Sequence, residues 1–253
     1  FLHYAQGLGA DKIATGHYVR SKEVAGKVQL LKGLDPGKDQ SYFLYGLNQE
    51  QICSALFPIG DLEKPSVRER AEKLGFDIFD KKDSTGICFI GERNFKEFLQ
   101  QYIPAQPGII VTSSGSKVGD HEGLMYYTLG QRKGLGIGGG YGDGKGAWYV
   151  LEKDLENNEL IVGQGHDHDG LYQKCLTASD LHWISGEAPN SENLKAKIRY
   201  RAQDATCRIT ELNNTEISIE FEEPRFAIAP GQSVVFYSEN ICLGGAIIDK
   251  AFN

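Results

Sequence analysis

The apolar positions of the first twenty residues predict a helix followed by a short strand. Helical spacing is carried by Phe1, Leu2, Ala5 and Leu8. Gly9 predicts the end of that helix. Residues 12–14 then predict a strand that runs into the turn Thr15-Gly16-His17-Tyr18. Because ligands of α/β sheets bind beyond the carboxyl ends of strands, this turn is a candidate nucleotide contact, with a plain surface turn as the alternative.

Two further segments of helical spacing follow in the first hundred residues. Pro65 opens the first of these helices, and one of its faces carries Val67, Ala71 and Leu74. Asn94 and Glu97 resemble a capping box at the start of the second. Its apolar stripe consists of Phe95, Phe98, Leu99, Tyr102 and Ile103. We expect both apolar faces to belong to the core.

Beyond Pro107 the pattern changes to short alternating segments separated by turn residues, which is typical of an antiparallel sheet or barrel. Two hairpins are predicted, one around Asn157-Asn158 and one around Asn213-Asn214. Further strands are predicted at residues 233–237 and 245–249. Nine of the seventeen residues from 130 to 146 are glycine, which predicts a flexible, unpacked loop that moves or contacts a ligand backbone. Its matches to phosphate-binding motifs lack the required flanking strand and helix.

Composition limits the classes of protein to which the chain can belong. Its 253 residues carry a net charge of −7, which argues against a protein that coats nucleic acid through a generally basic surface. No apolar run reaches the roughly 18 residues that a membrane span requires. The five cysteines are scattered and form no CxxC pair, so we expect a cytoplasmic protein in a reducing environment.

Two clusters of polar residues suggest binding sites, each with a plainer interpretation. Four cations alternate with apolar residues and would share one face of a strand: Lys195, Lys197, Arg199 and Arg201. Taken alone, such a stripe is typical of an edge strand whose lysines prevent aggregation. If the protein binds nucleic acid, these cations are the candidate phosphate contacts. Residues 165–169, Gly-His-Asp-His-Asp, contain common metal ligands, but such a run is more often a solvated turn.

Cys88 is the candidate nucleophile. It lies in a segment bounded by Gly86 and Gly91 and preceded by Lys81 and Lys82. Nearby cations favour the thiolate, which is the reactive form of cysteine. A cysteine between Ile87 and Phe89 is equally compatible with a small buried hydrophobic side chain, so spacing alone leaves both interpretations open.

Six strings of sequence, taken together and in order, resemble the tRNA-specific 2-thiouridylase family. They are ATGHY at 14–18, GLD with KDQSYFL between 33 and 44, KDSTGICFIG at 82–91, YTLGQRKGLG at 127–136, PGQ at 230–232 and CLGG at 242–245. The resemblance covers essentially the whole chain.

The resemblance implies an α/β fold, the ATP-pyrophosphatase domain, followed by a small central domain and a carboxy-terminal antiparallel β-barrel. The implied boundaries are residues 1–98, 99–166 and 167–253. In the family, a phosphate loop and a first catalytic cysteine precede the position at which this sequence starts. The helical spacing at Phe1 agrees with this, and we therefore expect the sequence to be a fragment.

The implied activity is ATP-dependent transfer of a persulfide sulfur to C2 of the wobble uridine, through an adenylated uridine. The implied cofactors are ATP with Mg²⁺. The implied partners are a persulfide sulfur-relay protein and the tRNAs for lysine, glutamate and glutamine. Cys88 would carry the persulfide and form a transient disulfide with the family's other cysteine. A non-catalytic tRNA-binding fragment is the alternative.

The resemblance also implies roles for eight residues outside the cysteine segment. Gly16 would contact ATP. The residues that would contact tRNA are His17, Lys38, Asp39, Gln40, Arg199, Tyr200 and Gln232. RNA loops suit such a surface, because an unpaired base can be held by stacking while cations contact the flanking backbone.

Overall fold

The computed structural model describes residues 1–81, 95–138, 146–189 and 194–253. The chain divides into two compact units. The first contains residues 1–81, 174–223 and 230–253, and the second contains residues 82–173 and 224–229. No helix in the described ranges is long and apolar enough to cross a membrane.

The first unit begins with a small α/β arrangement. Helix α1 (Leu2–Gly7) is followed by β1 (Ile13–Ala14), which pairs in parallel with β4 (Ala55–Leu56). Gly9 has a φ of 90°, a left-handed conformation that glycine adopts without steric cost at the end of a helix. The predicted opening helix, the strand after it and the α/β character of this segment are confirmed.

Between β1 and β4 the chain forms an antiparallel hairpin and a capped helix. The hairpin consists of β2 (Val19–Val24) and β3 (Lys27–Lys32). Helix α2 (Gln49–Cys53) begins with a capping box, in which the side chains of Asn48 and Gln51 each accept a hydrogen bond from the other's backbone N–H.

The predicted helix after Pro65 is present as α3 (Lys64–Lys73), and the second one as α4 (Phe95–Gln100). For the described side chains of α3 and α4 and the residues that follow them, the expectation that the apolar faces belong to the core is wrong. No residue of α3 is buried, and both Leu74 and Tyr102 are 71% exposed. Helical spacing shows which side chains share a face but carries no information about what covers it.

Six strands form a closed antiparallel barrel. They are β9 (Tyr172–Trp183), β10 (Lys195–Lys197), β11 (Ala205–Leu212), β12 (Glu216–Phe226), β13 (Ser233–Ser238) and β14 (Ile241–Phe252). Their order is β13-β10-β11-β12-β9-β14, and pairing of β13 with β14 closes the ring. The predicted barrel is confirmed, as is the hairpin around Asn213, whose side-chain oxygen accepts from the backbone of Thr215 and Glu216.

The barrel and the first hairpin share a sheet and a core. Strand β3 pairs with β14 at Leu31↔Ile241 and Leu30↔Cys242. One buried cluster joins both parts: Val19, Leu30, Tyr42, Ile52, Ile184, Val235, Tyr237 and Cys242. Burial of these large apolar side chains stabilises the arrangement by roughly 1.5–3 kcal/mol each.

The second unit is a four-stranded sheet. Its strands are β5 (Gly108–Thr112), β6 (Lys117–His121), β7 (Trp148–Asp154) and β8 (Glu159–Gln164). They lie in the order β6-β5-β8-β7, and only the β5–β8 pair is parallel. The predicted hairpin around Asn157-Asn158 is therefore confirmed.

The glycine-rich segment is partly packed, which corrects the expectation of a loop without packing. Leu135 is buried in the core of the second unit, and Ile137 packs against that core. The apolar side chains between the glycines anchor residues 130–138, since their burial outweighs the backbone entropy that glycine loses. Residues 139–145 lie outside the described ranges.

Close packing at Gly60 gives a test of the first unit. A Cβ atom on Gly60 would lie 1.7 Å from the carbonyl oxygen of Val19, whereas one on Gly46 would meet nothing within 4 Å. We expect Gly60→Ala to lower the free energy of unfolding by about 2 kcal/mol. Gly46→Ala should leave it unchanged or raise it slightly. Urea denaturation of both variants checks this, and equal stabilities would contradict the packing described.

Candidate functional site

The predicted Lys38-Asp39-Gln40 segment forms a turn organised by a buried carboxylate. Asp39 accepts hydrogen bonds from the backbone N–H of Gly33 and of Ser41, both at 3.1 Å, and from the Ser41 hydroxyl at 3.0 Å. The Asp39 side chain is only 5% exposed. Its carboxylate is thus occupied in holding the turn together.

Gln40 connects this turn to the predicted nucleotide contact. The Gln40 side-chain oxygen accepts from the Tyr18 backbone N–H at 2.9 Å, and the Gln40 N–H donates to the Tyr18 carbonyl at 3.1 Å. Tyr18 follows Gly16 and His17 directly. The structure therefore places two segments that are separated in sequence side by side.

Gly16 and His17 follow the carboxyl end of β1. Gly16 is exposed, and a Cβ atom there would meet nothing within 4 Å. His17 Nδ1 lies 2.8 Å from the Thr15 hydroxyl. Burial lowers the pKa of His17, because desolvation disfavours the charged imidazolium, so the ring is neutral at neutral pH. This end of the sheet presents an accessible backbone beside an uncharged imidazole.

Beside the turn lies a group of four charges, which we call the ionic cluster: Lys32, Asp39, Lys197 and Asp204. The Asp39 side chain is 5% exposed, and the other three side chains are between 13% and 21% exposed. Lys197 Nζ lies 3.4 Å from Asp39 and 3.7 Å from Asp204, and Lys32 also pairs with Asp204. Both ammonium groups lie over the Tyr237 ring, at 4.4 Å for Lys32 and 5.2 Å for Lys197. Opposite charges so close together compensate for much of their desolvation.

The expectation that four alternating cations face outward along one strand is wrong. Strand β10 ends at Lys197, whose side chain is 13% exposed and paired within the ionic cluster. Residues 199–202 instead form a turn, with the Ala202 N–H donating to the Arg199 carbonyl at 3.1 Å and Arg201 at a φ of 65°. A turn breaks the two-residue period on which the prediction depended.

The three predicted barrel contacts lie around one buried phenol, that of Tyr42. Its hydroxyl donates to the Ser233 carbonyl at 2.8 Å, and Ser233 follows the exposed Gln232. The Tyr200 ring centroid is 6.4 Å from that of Tyr42. Burial, together with Tyr45, raises the pKa of Tyr42 to about 12, partly offset by the Arg199 guanidinium. Tyr42 thus bonds the residue after Gln232 and lies near both Tyr200 and Arg199.

Seven predicted RNA-contact residues and Gly16 consequently lie in one connected part of the first unit. Sequence reasoning missed the residues that hold them there, namely Lys32, Tyr42, Asp204 and Tyr237. Tyr42 could have been found from the sequence, because it lies in the KDQSYFL string. The sequence offered no indication of Asp204, because it lies 172 residues from its partner Lys32.

Cys88, the predicted catalytic cysteine, lies outside the described residues. The four described cysteines, Cys53, Cys175, Cys207 and Cys242, are free thiols. Burial raises the pKa of Cys207 and of Cys242 to about 12, which leaves them almost entirely as unreactive thiols at neutral pH.

The histidine-containing turn at residues 165–169 has structural contacts. The His166 ring stacks on Phe226 with centroids 4.7 Å apart and an interplanar angle of 3°. His168 Nδ1 accepts from the Gly170 N–H at 3.1 Å. Within the described residues, no three His, Cys, Asp or Glu side chains are grouped as metal ligands.

Three family models match successive segments of the chain. Family models match as a tRNA methyl transferase HUP domain at residues 1–92, a tRNA methyl transferase PRC-barrel domain at residues 96–164, and an aminomethyltransferase beta-barrel domain at residues 173–248.

Curated relatives match over nearly the entire chain. The tRNA-specific 2-thiouridylase MnmA of Methylococcus capsulatus is 57% identical over 100% of this chain and 69% of its own length. The protein of that name from Salmonella typhimurium is 57% identical over 99% and 68%. The one from Hydrogenovibrio crunogenus is 58% identical over 100% and 67%.

Loss of an aspartate from the ionic cluster should destabilise the protein more than loss of an aspartate from an exposed ion pair. We expect Asp39→Ala to lower the free energy of unfolding by about 3 kcal/mol, because it leaves Lys197 and three hydrogen-bond donors without their acceptor. Asp61, 80% exposed and 3.7 Å from Arg20, is the matched control. Asp61→Ala should cost no more than about 0.5 kcal/mol. Urea denaturation of both variants measures the difference, and similar losses would rule out a structural role specific to Asp39.

Proposed function

This chain belongs to the tRNA-specific 2-thiouridylase family, and from that we propose that it acts in the thiolation of the wobble uridine of tRNA. The observation that carries the proposal is the convergence of Gly16, His17, Gln40, Arg199 and Gln232 into one part of the first unit. The hydrogen bonds of Gln40 to Tyr18 and of Tyr42 to Ser233 hold these segments. An acidic protein can bind RNA through such a local surface.

We propose that sulfur reaches C2 of the uridine from a persulfide on Cys88. When bound with Mg²⁺, ATP supplies the activation of the C2 oxygen as an adenylate, so that AMP can leave. A second cysteine thiolate of the family's enzyme attacks Cys88 Sγ, and a disulfide forms as the terminal sulfur is released. That sulfur forms the bond to C2 as the C2–O bond breaks. An external dithiol reductant then reduces the disulfide to two thiols and is itself oxidised to a disulfide, after which a persulfide-carrying protein transfers its outer sulfur to Cys88 and is left as a thiol.

Gly16 is the residue that we propose contacts ATP, in the region 1–98 assigned to the ATP-pyrophosphatase domain. Its exposed backbone at the end of a parallel strand, with no atom within 4 Å of a Cβ position, fits close approach of a nucleotide. The proposed divisions continue with a central domain at 99–166 and a tRNA-contacting barrel at 167–253.

The tRNA surface that we propose consists of His17, Lys38, Asp39, Gln40, Arg199, Tyr200 and Gln232. Since the Asp39 carboxylate is already bonded to Gly33 and Ser41, its contribution is to shape the turn that presents its neighbours. The tRNAs for lysine, glutamate and glutamine are the proposed substrates.

Gly16 offers a test of nucleotide contact that is separate from folding. We expect Gly16→Val to weaken binding of radiolabelled ATP about tenfold or more, since the side chain occupies the space from which a nucleotide approaches. Stability in urea should be unchanged. The binding is measured on the protein extended to the length of its relatives. Gly46→Val, at another position with nothing within 4 Å, is the control. Unchanged ATP affinity in Gly16→Val would remove this residue from the proposed site.

Cys88 offers a test of the chemistry. We expect Cys88→Ser in the extended protein to abolish 2-thiouridine formation while leaving tRNA affinity unchanged, because serine removes only the sulfur nucleophile. Nucleoside mass spectrometry of tRNA incubated with ATP, Mg²⁺ and a persulfide donor gives the readout. Cys53→Ser, at an exposed free cysteine, should thiolate normally. Normal thiolation by Cys88→Ser would refute the assignment.

The same assay separates the enzyme from the alternative of a non-catalytic tRNA-binding fragment. Thiolation by the extended form alone would assign catalysis to the longer protein and binding to this chain. If neither form thiolates where a known 2-thiouridylase does, the enzyme assignment fails and the binding fragment becomes the better account.

A further inference from the structure

An exposed phenylalanine lies on a turn that is otherwise buried. In the 3₁₀ turn Ser41–Phe43, Ser41 and Tyr42 are buried, whereas Phe43 is 57% exposed. Asp39 and Ser233 hold the two buried residues through hydrogen bonds, and the Phe43 N–H donates to the Gln40 carbonyl at 3.0 Å. The anchored turn therefore keeps Phe43 at the surface.

Phe43 forms a pair with Tyr200, a residue from the other end of the chain. Their ring centroids are 4.4 Å apart and their planes are inclined by 42°. Tyr42 lies against the edge of Phe43, with centroids 5.6 Å apart and an interplanar angle of 83°. The buried Tyr42 thus supports the exposed Phe43 and the half-buried Tyr200, and the two rings are held in place before any ligand arrives. An aromatic platform held in this way loses little conformational entropy on binding.

Positive charge lies directly beside the Phe43–Tyr200 pair. The Arg201 guanidinium carbon is 5.4 Å from the Tyr200 ring centroid, and Arg201 is exposed. Arg201 also lines a cavity of about 700 Å³ together with Arg20, Lys32 and Lys197. Asp39 and Asp204 in that cavity pair with the two lysines, and Arg20 pairs with Asp61 at 3.7 Å. The exposed Arg201 therefore supplies positive charge beside the Phe43–Tyr200 pair.

We propose that Phe43 and Tyr200 stack an unpaired base of the tRNA and that Arg201 contacts the phosphate next to it. The identification of tRNA as the partner rests on the proposed function, whereas the stacking and phosphate contacts are inferred from the geometry of these three side chains. Aromatic rings beside a cation are the combination by which proteins hold single-stranded RNA, since every base has a π face and every nucleotide a phosphate. An apolar protein partner would leave the adjacent guanidinium without a matching charge.

The test measures binding of a tRNA transcript with uridine at the wobble position to the full chain at several salt concentrations. We expect Phe43→Ala to weaken binding about tenfold at every salt concentration, because stacking is insensitive to screening. Arg201→Asn should instead reduce the slope of log affinity against log salt by roughly one. Asparagine tolerates the left-handed φ of 65° at this position, so the variant should fold.

Phe43→Trp keeps a stacking ring and adds a reporter. We expect it to bind tRNA with wild-type affinity and its fluorescence to be quenched on binding. The wild type, which contains two tryptophans, provides the background. Should Phe43→Ala fail to fold, the quenching decides the question alone, and its absence overturns the proposal.

A similar cation and ring at the end of β14 provide the control. There the Lys250 ammonium lies 5.8 Å from the ring centroid of the exposed Phe252. Phe252→Ala and Lys250→Asn should bind tRNA normally. If the wild type binds tRNA and Phe43→Ala equals Phe252→Ala, stacking is overturned while the proposed function stands. If the wild type binds no tRNA, the proposed function fails.

Discussion

The first unit depends on the pairing of two partly buried lysines with two aspartates over one tyrosine ring. Lys32 belongs to the first hairpin, Asp39 to the turn after it, Lys197 to β10 and Asp204 to the loop that follows. Tyr237 of β13 lies beneath both ammonium groups. Removal of any partner leaves a buried charge uncompensated, which costs far more than an exposed ion pair contributes. The cluster therefore ties the hairpin to the barrel.

This constraint determines what the surface can offer a ligand. Because the Asp39 carboxylate is occupied inside the turn, Gln40 and Phe43 are presented in set positions. Because Lys197 is held in the cluster, strand β10 presents only Lys195 at the surface, and Arg201 of the following turn adds a second exposed cation. An overall charge of −7 is compatible with RNA binding of this kind, since specificity for a loop requires few phosphate contacts.

In the second unit, buried apolar side chains order a glycine-rich segment despite the conformational freedom of its backbone. Leu135 and Ile137 stand between glycines, yet they join the core formed by β5, β6, β7 and β8. Glycine frequency alone predicts mobility, because it counts backbone freedom and ignores the apolar side chains in between. A few buried side chains suffice to order such a segment, since each contributes roughly 1.5–3 kcal/mol.

Local pattern in the sequence determined strands β11 to β14 of the barrel, both asparagine hairpins and the strand and turn around Gly16, because alternation and turn chemistry act within a few residues. The family strings indicated six of the eight proposed ligand-contact residues and Cys88, and the wider resemblance to the family added Arg199 and Tyr200. Tertiary structure alone decided that Lys197 pairs with Asp39, that the α3 face is open and that Tyr200 contacts Phe43. These outcomes depend on partners far along the chain, such as Asp39 at 158 residues from Lys197, and no local period encodes a contact over that separation.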